Sequence, residues 1–435
     1  MAEIQAFRGW RYDLAQVGSL SDVIAPPYDV IDASAQRELY ERHPCNVVRL
    51  ILNRQEPGDA SPDDRYARAA DFLRHWQTEG ILTRERDDAL YVYHQQFDWE
   101  GTTYVRKGFL GRLRLEEFGS GRVFPHEQTM SGPKADRLAL TRACRTNLSP
   151  IFGLYPDTNE TVQTPLEQAL TEATPLEATD AHGVVHRLWP LTDRAVLDRV
   201  RELMSEKDIF IADGHHRYET ALNYRGGLES AGQLDGASDA ANFVLMMFVG
   251  MSDPGLAILP THRLVSGLPE LTIADIRAAL AECFDLEPVG NGAEGARQAW
   301  ELIEADGGQN VFGFGTSTDG EWLFARVRDA SPMESLAANN SPAWRGLGVS
   351  LLHRLVLDHL IQNRYPQADL SCRYVHRLDE VVQGQSGGEC QMAALVAPAG
   401  IEHVRQIAAT CEKMPPKSTY FYPKLLSGLV LNPLE

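Results

Sequence analysis

Ala212-Asp-Gly-His-His-Arg-Tyr-Glu-Thr-Ala-Leu222 continues directly from the apolar run Asp208-Ile-Phe-Ile-Ala212, so a strand is predicted to enter a tight glycine turn and then a helix over 215–224. This arrangement builds anion sites. The first N–H groups of a helix have no partner within it, and the helix dipole adds positive potential at the same end. Gly214 carries no Cβ and lets a ligand oxygen approach those amides. Arg217, one turn on, offers a planar guanidinium fork that matches phosphate oxygens. Asp213, at the strand end, could coordinate Mg²⁺ or orient a substrate hydroxyl. Successive helical residues are about 100° apart, so His215 and His216 face different directions. One would meet the ligand and the other brace the turn. Alone, an Asp-Gly pair is a turn and a His pair is ordinary polar surface; five such residues on one strand-to-helix turn favour function.

Outward from this turn, the periodicity is that of a mixed α and β chain. Residues 89–97 and 103–115 alternate around Asp98-Trp-Glu-Gly101 and read as a β-hairpin. Tyr66, Ala69, Ala70, Leu73 and Trp76 fall at helical spacing, with Gly80 as a stop. Further helices are predicted over 134–145, 193–204, 273–284, 295–303, 349–361 and 401–412. Strands are predicted over 46–52, 150–155, 184–191, 242–249, 256–264, 310–314, 321–327, 371–377 and 392–396. The pattern divides into an N-terminal mixed α/β region (1–205), an α/β region carrying the turn (206–335) and a C-terminal α/β region (336–435). The fold class is α/β, in a mixed α+β arrangement.

Composition narrows the functional classes. The 435 residues are 43% hydrophobic and 23% charged, with 41 Lys and Arg against 60 Asp and Glu, a net charge of −19. That balance argues against nucleic acid as a partner, because such binding draws on a basic surface. Six cysteines stand without a CxxC pair, as in a reducing compartment. Met1-Ala-Glu-Ile-Gln-Ala-Phe-Arg-Gly-Trp10 has neither the basic nor the apolar part of a signal peptide. Apolar runs such as 243–249 are far below the roughly 20 residues that span a bilayer. A soluble, cytoplasmic protein acting on a small molecule, without a membrane partner, is expected. The oligomeric state is left open.

A second polar cluster, Phe124-Pro-His-Glu-Gln-Thr-Met-Ser-Gly-Pro-Lys-Ala-Asp-Arg137, precedes the helix predicted over 134–145. His126 and Glu127 are acid/base candidates, and Lys134 and Arg137 are candidates for phosphate contacts, although surface loops also collect such residues. Pro26-Pro-Tyr-Asp29 could present Tyr28 and Asp29 to a pocket. Pro260-Thr-His-Arg263 could deliver His262 and Arg263. Met414-Pro-Pro-Lys-Ser-Thr-Tyr-Phe-Tyr-Pro-Lys424 places Lys417, Ser418 and Thr419 in an aromatic loop. No HExxH, Cys/His zinc array, GxxxxGK[ST] or GxSxG occurs, which disfavours zinc enzymes, P-loop NTPases and α/β-hydrolases.

The motif Asp213-Gly-His-His-Arg217 resembles the ParB/sulfiredoxin-like superfamily, whose members bind nucleotide phosphates with a Gly-x-x-Arg turn at a helix start. Gly214-His-His-Arg-Tyr218 is similar to the Gly-Cys-His-Arg-Tyr of sulfiredoxins, with His215 in place of the reactive cysteine. The whole motif resembles that of the superfamily's free-serine kinases, which phosphorylate L-serine with ADP or ATP and Mg²⁺. Over nearly its full length the chain also resembles the DUF1015 family. That likeness rests on Ile24-Ala-Pro-Pro-Tyr-Asp-Val30, Pro125-His-Glu127, Ser149-Pro-Ile-Phe-Gly153, the 212–222 stretch, Leu259-Pro-Thr-His-Arg263 and Lys417-Ser-Thr-Tyr-Phe-Tyr-Pro-Lys424. The resemblance implies a ParB/sulfiredoxin-like nucleotide-binding core with additional α/β elaborations. Asp213, His215, His216 and Arg217 would then form its nucleotide and metal end, with ATP or ADP and Mg²⁺ as cofactors. Glu127, beside His126, is the candidate for accepting the substrate hydroxyl proton.

The leading expectation is a nucleotide-dependent phosphotransferase acting on a small hydroxyl metabolite, with serine as the candidate. A phosphatase on phosphoserine, a nucleotide-sensing module without turnover, and a metal-dependent hydrolase using Asp213, His126, His215 and His216 are the alternatives. In each phosphate-binding case the acidic exterior would surround a local basic pocket of Arg217, His215 and His216, joined by Lys134, Arg137 and Arg263.

Overall fold

The hairpin read from alternation lies at the centre of the larger sheet. Leu90–Trp99 pairs antiparallel with Thr102–Arg114 through Glu100 and Gly101, whose φ angles of 49° and 76° suit a two-residue turn matched to strand twist. The computed structural model describes residues 2–127, 129, 131–170, 173–410 and 412–435. They form two units: Met1–Pro125, Thr129–Ala257 and Pro423–Glu435 in the first, His126–Gln128 and Ile258–Tyr422 in the second. Positions 205–206 lie inside the first unit and 335–336 inside the second.

Among the described residues the first unit holds a nine-stranded mixed sheet. Its order is Val123–Phe124, Ile209–Asp213, Ile151–Tyr155, Phe243–Gly250, Thr102–Arg114, Leu90–Trp99, Val185–Leu191 and Leu176–Thr179, with Ile4–Gln5 also paired to Thr102–Arg114. Phe243–Gly250 is central, and Phe243 through Val249 are buried without interruption, the mark of a strand covered on both faces. Ile151, Tyr155, Val244, Met246, Phe248, Ile209 and Ile211 share one core with Tyr218 and Ala221 of the following helix. The second unit is built on a six-stranded antiparallel sheet, ordered Phe284–Asn291, Glu321–Val327, Val311–Thr316, Met392–Val396, His262–Ser266 and Ser371–Val375 among the described residues.

Four local expectations are corrected. Residues 46–52 do not form a strand: Val48–Ile51 is a helical turn, because the Asn46 carboxamide accepts the Val48 N–H at 2.9 Å and donates to the carbonyls of Asp22 and Ile24. A short apolar run cannot by itself distinguish a buried turn of helix from a strand. The strand expected over 256–264 is two, Ala257–Leu259 and His262–Ser266, broken at Pro260. The helix from Ile273 stops at Leu280, and Phe284 already begins a strand. The apolar helix expected over 349–361 runs as Gly348–Ser350 and then a π-helix, Leu351–Ile361, a register that hydrophobic spacing does not reveal. The last predicted helix is Ile401–Ala409, and residue 411 of that expectation lies outside the described residues. Among the described residues, no helix is long and apolar enough to cross a membrane.

Candidate active site

The strand Ile209–Asp213 pairs antiparallel with Ile151–Tyr155, Phe210 opposite Leu154 and Ile211 opposite Gly153, before the register shifts so that Asp213 faces Phe152. A bulge of this kind re-aims the next side chain. Gly214 follows at φ 93° and ψ 26°, the left-handed region, and caps the 16-residue helix His215–Ser230. The helix is seated by Tyr218 and Ala221 in the core, and the Tyr218 hydroxyl both donates to the Glu116 carbonyl and accepts the Glu116 N–H at 2.9 Å. The helix N-terminus is thus fixed at the C-terminal end of the strand Ile209–Asp213 by a residue that brings no capping side chain of its own.

Two cations flank the Asp213 carboxylate. Lys424 Nζ donates to Oδ2 at 3.1 Å, and Arg217 lies 3.8 Å from Oδ1. Burial alone would raise the carboxyl pKa, but Lys424, Arg217 and His215 outweigh it and hold the group well below the usual carboxylate range. Arg217 also donates to the Pro150 carbonyl. His215 is buried at 3% exposure, whereas His216 is half-buried, so the pair divides as the helical geometry requires.

Lys424 is held in place from the hairpin. Gln95 and Arg106 are cross-strand partners; Arg106 Nε donates to Gln95 Oε1 at 3.1 Å, and Gln95 Nε2 donates to the Lys424 carbonyl at 3.0 Å. Arg106 also donates to the Pro423 carbonyl and lies 4.7 Å over the Phe152 ring. It is 0% exposed, and burial brings its pKa down to about 10 against the opposing fields of Tyr93, Asp253 and Asp213. None of Gln95, Arg106 and Lys424 was among the candidates read from sequence. A legible signal did exist for two of them: a polar pair opposite each other in the register of an apolar hairpin.

A hollow of about 50 Å³ beside Arg217 is lined by Tyr28, Arg137, Ser149 and Thr220, room for a group the size of a few waters. The Arg137 guanidinium stacks 4.0 Å over the Tyr28 ring, donates to Ile51 O at 2.6 Å and pairs with Asp136. Lys134 bonds Glu219 at 2.7 Å, and Thr129 donates to the same carboxylate. The expected basic pocket is therefore balanced by carboxylates: Asp213 for Arg217 and Lys424, Asp136 for Arg137, Glu219 for Lys134.

His126, Glu127 and Arg263 belong to the second unit. Glu127 Oε1 accepts the Lys417 N–H at 2.8 Å, and His126 Nε2 lies 3.0 Å from Thr419 Oγ1. Arg263 is fully buried and donates to the carbonyls of Thr261 and Lys417 and to His353. Glu127 and Arg263 thus both hold the backbone of Lys417, a residue at φ 57°. Among the described residues no group of three or more His, Cys, Asp or Glu side chains could hold a metal ion.

A Cβ at position 214 would sit 3.0 Å from Arg217 Cζ and Nε, at a φ that L side chains rarely adopt. Gly214→Ala is expected to cost about 1–2 kcal/mol and to displace the guanidinium. Calorimetric melting, followed by nucleotide titration of the variant, would check both effects; an unchanged melting temperature contradicts the strain.

No curated protein matches the chain. Solved structures with a remote likeness include a free serine kinase in complex with AMP (12% identity, covering 69% of this chain and 83% of that one, TM-score 0.33). Others are a conserved hypothetical protein from Pyrococcus furiosus (13%, 70% and 89%, TM-score 0.33) and SbnI with C-terminal truncation from Staphylococcus aureus (10%, 72% and 84%, TM-score 0.30). The model of the protein family of unknown function DUF1015 matches residues 4–350, and this chain, with its glycine turn at 214, belongs to that family.

Proposed function

We propose that the protein is a nucleotide-dependent phosphotransferase that uses ATP or ADP to phosphorylate a small hydroxyl metabolite, with serine as the candidate. The observation that carries this reading is the pair of cations, Arg217 and Lys424, beside the glycine-capped N-terminus of a 16-residue helix. Backbone amides at that end and the Arg217 fork would receive phosphate oxygens, and Lys424 would add a point charge. The shared Asp-Gly-His-His-Arg motif supports the same reading.

Phosphoryl transfer depends chiefly on positioning and on neutralising charge over the equatorial oxygens. Asp213 restrains both cations before a nucleotide arrives, which limits the reorganisation needed on binding. His216, the more exposed imidazole, is the proposed acceptor of the hydroxyl proton. A lone carboxylate at the turn suits Mg²⁺ delivered with nucleotide phosphates, the usual mode for this ion, rather than a resident metal in a protein cage. When bound, Mg²⁺ would neutralise phosphate charge, with Asp213 as its side-chain ligand.

The test is phosphorus NMR of the full chain incubated with serine, MgCl₂ and either ATP or ADP. A new phosphomonoester resonance that disappears in His216→Ala is the expected result. Nucleotide binding without phosphoryl transfer to serine or other hydroxyl metabolites would overturn it.

A further inference from the structure

A second cavity in the first unit, about 280 Å³, shares no lining residue with the hollow beside Arg217. Its polar wall carries Tyr155, Asp157, Glu160, Glu167, Asp253 and Lys107, and Val105 and Pro254 add apolar surface. Two of the carboxylates are neutralised. Glu167 bonds His94 at 2.8 Å and Lys107 at 3.2 Å, and Asp157 pairs with Lys207 at 3.3 Å while accepting from Thr161 and the Val162 N–H.

The other two have no ion pair among the described residues. Among the described residues the Asp253 carboxylate accepts only the backbone N–H groups of Gly255, at 2.9 Å, and Lys107, at 3.3 Å. Glu160 is held at φ 52°, an uncommon conformation for a side chain of its type. An independent observation also points to a ligand. Tyr155 lines this cavity, and its fully buried hydroxyl has no hydrogen-bond partner among the described residues and lies within the field of Asp157, Asp253 and Glu160. Buried hydroxyls are rarely left unsatisfied.

Two unpaired carboxylates and a phenolic oxygen accept, so they call for a cationic donor. A bare metal ion does not fit, since no three His, Cys, Asp or Glu side chains among the described residues could ligate one. An ammonium group carries three divergent N–H donors and tolerates that spacing. The cavity exceeds the size of an ammonium group, and its apolar wall suits a short alkyl chain. We propose that this cavity binds a small aliphatic amine in its ammonium form, held by Asp253, Glu160 and the Tyr155 hydroxyl. The inference stands independently of the phosphotransferase reading.

Binding should depend on pH. Burial raises the Asp253 carboxyl to about 6, with Glu160 acting in the same direction and the N–H groups of Gly255 and Lys107 and the Arg106 charge opposing. Asp157, Glu167 and Lys107 complete the charged groups around the cavity. Below that pH an amine must displace a proton from Asp253, so affinity rises as the pH passes upward through it.

The experiment is calorimetric titration of the full chain with 1,4-diaminobutane. One saturable site is expected at about pH 8, with roughly tenfold weaker binding at about pH 5. Asp253→Asn, whose carboxamide oxygen can still accept the Gly255 N–H, should weaken binding by about 10–100-fold, and Tyr155→Phe by about 3–10-fold. An excess of MgCl₂ should leave the isotherm in place. Absence of saturable binding at about pH 8, equal affinity in wild type and Tyr155→Phe, or displacement by stoichiometric MgCl₂ would each overturn the assignment.

Discussion

Replacing Arg217 by alanine is expected to weaken ATP or ADP binding on the order of 100-fold, with a small change in melting temperature. Each charge-assisted hydrogen bond to a phosphate oxygen is worth about 1.5–3 kcal/mol. A guanidinium in bidentate contact makes two of them, and part of that energy is returned by rearrangement of the unliganded site. The fold tolerates the change because Asp213 keeps Lys424, 3.1 Å away, as its counter-charge. The variant also removes the hydrogen bond to the Pro150 carbonyl, a net cost of about 0.5–1.5 kcal/mol. Arg217→Lys restores charge without the planar fork, so it should recover affinity only in part. A fluorescence titration of the three proteins would separate the cases. Equal affinity in all three would mean that Arg217 does not meet the phosphates.

The second large effect is on stability. Arg106→Leu should cost about 3–5 kcal/mol, because two buried acceptors each lose a charge-assisted hydrogen bond, about 1.5–3 kcal/mol apiece. For a unit of this size that corresponds to a fall in melting temperature of roughly 5–15 °C. The side chain is fully buried, with its guanidinium shared by Gln95 Oε1 and the Pro423 carbonyl. Leucine leaves both acceptors without that donor inside the hairpin. The double variant Arg106→Leu with Gln95→Leu should recover part of the loss, because the Gln95 carboxamide no longer lies buried without its partner. It would not recover nucleotide affinity, since Gln95 is also the donor that holds the Lys424 carbonyl. A melting temperature unchanged in Arg106→Leu would show that this hydrogen-bond network contributes nothing to the fold.

These two variants mark the line between what local sequence discloses and what it does not. Asp213, Gly214, His215 and Arg217 are contiguous, and the physics that unites them acts within one turn: a left-handed glycine, orphan helix amides and a side chain one turn on. That turn could be read directly. Lys424 reaches the same carboxylate across 211 residues of chain, and no periodicity relates the two positions. The polar candidates around the turn were visible as residue types, but not their partners. Lys134 is committed to Glu219, and Arg137 to Asp136 and the Ile51 carbonyl, so the balanced charge of the site emerges only from packing. Secondary structure followed the same division. Long alternating or amphipathic stretches such as Leu90–Trp99 and Arg194–Met204 were legible. The one-turn helix at Val48–Ile51 depends on the Asn46 side chain, and the π register of Leu351–Ile361 has no hydrophobic signature.

The central claim is that the glycine turn at 214 holds the phosphates of a nucleotide. The most direct measurement is parallel calorimetric titration of the full chain with ADP and with adenosine, at matched ionic strength. The account predicts saturable binding of ADP and affinity for adenosine at least about tenfold lower, because the helix amides, Arg217 and Lys424 meet only the phosphates. Equal affinity for the two, or no binding of ADP, would contradict it.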